Sequence, residues 1–124
     1  FHLEHPVWIA ELDAAALIAR PPRTARVTAP SQFPPVKRDI SFVIDRSVDY
    51  AKIISVIRHV AEPLAGRIEL IDRYTGSQIP AAKHSLTFSI EYRDLRRTLT
   101  AEEVDQVHRT LGESLATEFG ALLR

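Results

Sequence analysis

The chain has no cysteine and no methionine, and both absences restrict what it can be. Without cysteine it can form neither disulfides nor thiolate metal sites. Because it starts at Phe1 without an initiator methionine, we expect a processed product or a piece of a longer protein. It contains no apolar run of about 18 residues that would span a membrane and no signal-peptide pattern. We therefore expect a cytoplasmic protein with no membrane partner.

An excess of charge of either sign is also missing, since 16 Lys and Arg balance 16 Asp and Glu over 124 residues. This balance argues against a strongly basic nucleic-acid binder. The distribution is uneven, however, because residues 37–97 carry 11 basic and 8 acidic side chains, whereas residues 98–124 carry 2 and 5. Any RNA-binding surface is expected on the middle segment. The 45% of hydrophobic residues predicts a packed domain rather than disorder.

A proline-rich segment predicts a domain boundary near residue 32. Residues 20–35 hold five prolines and three arginines, which is typical of an extended linker because proline removes a backbone donor and biases its predecessor away from helix. Before the linker, residues 7–12 read as a strand. Residues 1–32 could be disordered, fold back, or pair with another copy along an exposed edge. We expect the piece to be monomeric or weakly self-associating through them.

Residues 33–124 show the pattern β-α-β-β-α-β. Alternating apolar residues predict strands over residues 39–45 and 84–92, and a helical apolar stripe follows a cap at Ser47 or Asp49. Thr100 and Glu103 form a capping box that begins the second helix. The other two strands are placed at residues 67–75 and 121–124. Two helices packed on one side of a four-stranded antiparallel sheet give an α+β, ferredoxin-like fold with one open sheet face.

The open face is predicted to carry small polar side chains and one aromatic ring. Placing Ile71 inward on the second strand puts Leu70, Asp72 and Tyr74 outward. An aromatic ring stacks on an unpaired base with about 1–3 kcal/mol, and hydroxyls and carboxylates can bind base edges. The alternative is an ordinary solvated sheet face. The outward positions of the first and third strands are Asp39, Ser41, Val43, Ser85, Thr87, Ser89 and Glu91.

Five motifs occur in order from residue 33 to the end of the chain. They are FPPVKRDISFV at 33–43, ELIDRYTG at 69–76, IPAAKHSLTF at 79–88, RTLTAEEV at 97–104 and FGALLR at 119–124. Together they resemble the ferredoxin-fold anticodon-binding domain at the C-terminus of phenylalanyl-tRNA synthetase β subunits. Residues 1–32 then look like the end of the synthetase-like module that precedes this domain, followed by the linker. Residues 33–124 would be the anticodon-binding domain.

The resemblance implies a tRNA-binding module that holds the anticodon stem-loop of the phenylalanine tRNA. The parent enzyme would be an (αβ)₂ tetramer that uses ATP and Mg²⁺, with catalysis in the α subunit, so this piece should be non-catalytic, without a cofactor or metal. The tyrosine matching Tyr74 would stack on an anticodon base, with Ser85 beside it. Where the family has paired lysines, His84 replaces one, so a phosphate contact there could be pH-sensitive. The predicted RNA-binding residues are Tyr74, Ser85, Asp72, Thr87, Ser41, Lys83, His84, Arg38 and Arg97.

Some alternatives stay open. Arg97 could contact phosphate or could hold the start of the second helix through a local ion pair. A ferredoxin-like enzyme of the acylphosphatase type would need an asparagine to orient water, and this chain has no asparagine. A regulatory domain of the ACT type shares the fold and would dimerise when it binds an amino acid.

Overall fold

A computed structural model describes His5, residues 7–19 and residues 32–124. The chain divides into two compact units, Phe1–Pro30 and Ser31–Arg124. Most of the linker predicted for residues 20–35 lies outside the described residues. In the part of the chain that the structure describes, no helix is long and apolar enough to cross a membrane.

Within its described residues, the first unit has one short helix, α1, which spans Ala14–Ile18. Asp13 caps this helix, because its side chain accepts hydrogen bonds from the amides of Ala15 and Ala16. The strand predicted for residues 7–12 is wrong, since these residues have no regular secondary structure. A strand needs a hydrogen-bonded neighbour, and among the described residues none pairs with this segment.

The second unit follows the predicted order of elements. Its strands and helices are β1 (Val36–Asp45), α2 (Tyr50–Ala61), β2 (Ala65–Tyr74), β3 (Lys83–Tyr92), α3 (Ala101–Phe119) and β4 (Leu122–Leu123). The strands lie in the order β2-β3-β1-β4, and each neighbouring pair is antiparallel. The α+β, ferredoxin-like fold is confirmed.

Local side chains define where the two long helices begin and end. The Thr100 hydroxyl accepts from the Glu103 amide, and the Glu103 carboxylate accepts from the Thr100 amide, as the capping box predicts. Gly120 ends α3 in the left-handed conformation, with φ of 61°, where a side chain would be strained. Asp49 caps α2 through the amide of Ala51.

The core lies between the two long helices and one face of the sheet. Phe42 and Phe88, from neighbouring strands, stack in this layer with ring centroids 5.9 Å apart. Because side chains alternate along a strand, the intervening residues of β1 and β3 face away from the helices. The buried apolar side chains include Ile40, Phe42, Ile44, Ile53, Ile57, Leu86, Phe88, Ile90, Tyr92, Val104, Leu111 and Leu115.

The predicted facing of β2 is correct only in its second half. Leu70 pairs with Phe88 and packs against the core, so its outward placement is wrong. Ile71, predicted inward, is 52% exposed. A register shift between Leu70 and Asp72 is the reason, because one extra residue in a bulge reverses the side on which the following side chains lie. Asp72 and Tyr74 therefore face away from the helices, as predicted.

Candidate nucleic-acid interface

Two rows of paired residues cross the sheet face that points away from the helices. One row runs through Val43, Ser85 and Tyr74 on β1, β3 and β2. The next runs through Ser41, Thr87 and Asp72 on the same strands. Directly paired residues of an antiparallel sheet have their Cβ atoms about 4.5–5.5 Å apart on one face. The structure therefore brings together five predicted site residues, namely Tyr74, Ser85, Asp72, Thr87 and Ser41.

Tyr74 and Ser85 form the edge and the floor of this surface. The Tyr74 side chain lies on the edge strand β2 and is 42% exposed, whereas Ser85 is only 5% exposed. An exposed aromatic ring offers a stacking surface to any base, because every base has a π face. The Ser85 hydroxyl would be reached only by a group that comes down against the sheet beside the ring.

The second row supplies hydrogen-bonding groups of two kinds. The hydroxyls of Ser41 and Thr87 lie 2.7 Å apart and bond to each other. Each hydroxyl has two acceptor lone pairs, and whichever one accepts in this pair still has a proton to donate. Asp72 is exposed and, when ionised, offers acceptors only. These groups can bind both donor and acceptor positions on the edge of a base.

Acidic side chains outnumber basic ones on this face, where Lys37 and Lys83 lie with Asp39, Asp45, Asp72 and Glu91. The Lys37 ammonium lies 3.1 Å from the Glu91 carboxylate. Lys83 lies two residues before Ser85, and so on the same face, where it pairs in register with Asp45. The pKa of Asp45 lies below its usual range, first because the Ser47 amide and hydroxyl donate to it and then because Lys83 is near. Charge should therefore attract RNA to this surface very little.

Arg38 and His84 lie on the opposite side of the sheet. Arg38 Nε donates to the Asp105 carboxylate of α3 at 2.9 Å. His84 is 8% exposed and borders a cavity of about 200 Å³ together with Arg73. The alternation of side chains along the strands also predicts this side of the sheet, because Arg38 lies two positions before the buried Ile40 and His84 lies two positions before the buried Leu86. Neither residue shares a face with Tyr74.

His84 is also a poor candidate for a cationic phosphate ligand. Burial, followed by the nearby charges of Arg73 and Arg46, lowers the pKa of its imidazole from the ordinary value of 6.5. Near neutral pH the ring is therefore uncharged. A neutral imidazole offers phosphate one N–H donor and no positive charge.

Arg97 is engaged by the capping box of α3. Its two terminal nitrogens donate to the two carboxylate oxygens of Glu103 at 2.8 and 2.7 Å. Chiefly because of this hydrogen bonding, the pKa of Glu103 falls to about 2. The Asp94 carboxylate also contacts this guanidinium, at 3.5 Å from Arg97 Nε. This geometry favours the local ion pair over a phosphate contact for Arg97.

The comparison with known protein families agrees with the fold and the motifs. The sequence profile described as "Ferredoxin-fold anticodon binding domain" matches residues 31–124. The chain belongs to this family. The resemblance carried by the five motifs is thereby confirmed. The face that bears Tyr74 and Ser85 is thus the open sheet face of an anticodon-binding domain.

The relatives that match this chain are named phenylalanine–tRNA ligase beta subunit. The one from Synechococcus elongatus is 37% identical over 125 residues, which cover 100% of this chain. The one from Methylococcus capsulatus is 37% identical over 122 residues, or 98% of the chain. The one from Geobacillus kaustophilus is 36% identical over 117 residues, or 94% of the chain. The chain spans about 15% of the length of each of these relatives.

Two residues of the anticodon-binding domain matter to this face and were not predicted from sequence. Leu122 of β4 pairs with Val43 and extends the first row with an exposed apolar side chain. Gly76 lies directly against the Tyr74 ring. The short β4 carries too little pattern to reveal its register. The contact of Gly76 depends on a side-chain conformation that no local motif specifies.

Proposed function

We propose that this chain is the tRNA-binding module of a phenylalanyl-tRNA synthetase β subunit, which holds the anticodon stem-loop of the phenylalanine tRNA. The family and the names of the relatives support this proposal. The observation that carries it is the exposed Tyr74 beside the buried Ser85, on the sheet face that both long helices leave open.

Binding would depend on stacking and hydrogen bonds more than on charge. An unpaired base lying on Tyr74 would bring its edge toward the hydroxyls of Ser41 and Thr87 and the carboxylate of Asp72. With few free cations on this face, salt should weaken binding only slightly, with a slope of about −0.7 per phosphate contact on a single strand. Lys83 is the basic residue best placed to make such a contact.

Catalysis would belong to other parts of the proposed enzyme. Within residues 7–19 and 32–124, no group of three or more His, Cys, Asp and Glu side chains could hold a metal ion. ATP and Mg²⁺ would bind to those other parts of the enzyme. The partner would be the catalytic α subunit of an (αβ)₂ tetramer in the cytoplasm. Residues 1–32 would then belong to the preceding module and its linker.

The test is the affinity of the chain for the anticodon stem-loop of a phenylalanine tRNA. Tyr74→Ala should weaken binding by about 1–3 kcal/mol, because it removes the stacking surface. Tyr50→Ala is the matched control, since Tyr50 is 49% exposed but stacks on Phe88 on the helix side of the sheet. Fluorescence anisotropy would give the affinities, and circular dichroism would check the fold. Unchanged binding by Tyr74→Ala, or an equal loss in Tyr50→Ala, would reject the proposed surface.

A further inference from the structure

The phenol end of Tyr74 lies against Gly76, two residues further along in the loop between β2 and β3. A Cβ atom on Gly76 would overlap the Tyr74 hydroxyl oxygen and the ring carbon that bears it, and would lie 2.8 Å from Cε1. Cβ atoms essentially never come within 3.0 Å of a heavy atom outside their own residue and its two chain neighbours. The ring can therefore hold this position only because residue 76 has no side chain.

The backbone does not explain the glycine. Among the described residues, Gly120 is the glycine with positive φ, and that conformation is the usual reason for glycine in a turn. Gly76 has a φ that other residues also adopt. What it contributes is the space that the Tyr74 ring occupies.

We infer that Gly76 is a positioning residue of the RNA-binding surface, which leaves the space that lets the Tyr74 ring lie against the loop beside Ser85. The inference rests on the proposed function of the open face. A ring that already has its bound orientation loses less conformational freedom when a base stacks on it, so binding is stronger. Gly76 would act only through Tyr74 and would not contact RNA.

A methyl group at residue 76 should displace the ring while leaving the fold intact. The overlap falls on the far end of an exposed side chain, which can rotate away. The last ladder pair of β2, Tyr74 with Ser85, lies before the loop and is not altered. Alanine at an ordinary φ also restricts the unfolded chain, so thermal stability should not fall.

The binding test uses Gly76→Ala in the full 124-residue chain with the anticodon stem-loop of a phenylalanine tRNA. We expect binding to weaken by about twofold to 12-fold, because a displaced ring must be ordered again before a base stacks on it. The double variant Tyr74→Ala, Gly76→Ala should bind as Tyr74→Ala does, because the effect of residue 76 passes through the ring. Ser77→Ala, an exposed position in the same loop, is the control and should bind like the unmodified chain. Unchanged binding by Gly76→Ala, where Tyr74→Ala binds weakly, would overturn the inference.

A measurement without RNA separates this inference from the proposed function. In the free chain, NMR should show a nuclear Overhauser contact between the Tyr74 ring protons and the Gly76 Hα protons, and Gly76→Ala should lose the ring's contacts with residue 76. Absence of that contact in the unmodified chain would refute the positioning role whatever the RNA affinity. If the contact is present but Tyr74→Ala binds RNA normally, the proposed function fails, and the inference fails with it.

Discussion

A hydrogen-bonded chain that starts at the buried Tyr92 links β3, α3 and β1, and Tyr92→Phe tests it. The fully buried Tyr92 hydroxyl lies 2.9 Å from His108 Nδ1, and His108 Nε2 lies 3.2 Å from the Asp39 carbonyl oxygen. Because a carbonyl only accepts, Nε2 must carry the proton, so Nδ1 accepts and the phenol donates. Burial raises the pKa of Tyr92 to about 12, so the phenol keeps its proton at neutral pH.

The expected loss of stability follows from what the substitution leaves behind. Phenylalanine removes one hydrogen bond and leaves Nδ1 of the half-buried His108 without its donor, which costs about 1–2 kcal/mol. The edge-to-face ring contact between the two residues, with centroids 5.9 Å apart, is kept, so no cavity adds to the cost. In a domain of this size, about 4–8 °C of the melting temperature is lost per kcal/mol.

Urea and thermal denaturation followed by circular dichroism would measure this loss. Tyr74→Phe is the matched control, because its phenol is exposed, and we expect less than about 0.5 kcal/mol. The double variant Tyr92→Phe, His108→Leu should lose less stability than the sum of the losses in the two single variants, since both substitutions break the same hydrogen bond. A Tyr92→Phe variant as stable as the unmodified chain would refute the hydrogen-bonded chain.

Two further predictions concern buried histidines and the β2 bulge. Burial lowers the folded-state pKa of His84 and His108 below 6.5, so as pH falls the unfolded chain takes up protons first and stability decreases. His84→Leu should reduce this loss when urea denaturation is compared at about pH 7.5 and 5.5; an identical loss would contradict it. Leu70→Ala should cost about 1–2 kcal/mol and Ile71→Ala under about 0.5 kcal/mol in the same assay, whereas equal costs would mean that the register shift is misplaced.

Much of the candidate site was predictable because its signals are local. Alternation of apolar residues along β1 and β3 identified the open face and placed Ser41, Ser85 and Thr87 on it. Extended by two residues toward the N-terminus of each strand, the same alternation would have placed Arg38 and His84 on the helix side. The family motifs, not the alternation, led to the inclusion of those two residues.

The parts that were not predictable depend on the neighbouring strand. Nothing in the run Ile68–Tyr74 shows where an extra residue enters, because a bulge exists only relative to the register of a partner. Residues 7–12 have the composition of a strand but form none, since composition does not supply a pairing neighbour. The sequence around Gly76 does not predict its contact with Tyr74, because that contact forms only when the ring folds back on the loop.

The sequence by itself determined the order of the elements, the ends of α2 and α3, and the buried sides of β1 and β3. These follow from capping residues and from apolar periods of 2 and 3.6 residues, which act over a few positions. Only the tertiary structure decided that β2 reverses its facing at Ile71, that Arg97 is bound to Glu103, and that Tyr74 rests on Gly76. The reversal at Ile71 depends on the register of the neighbouring strand β3. The contacts of Arg97 and Tyr74 depend on side-chain conformations, which the folded surroundings select and no short motif specifies.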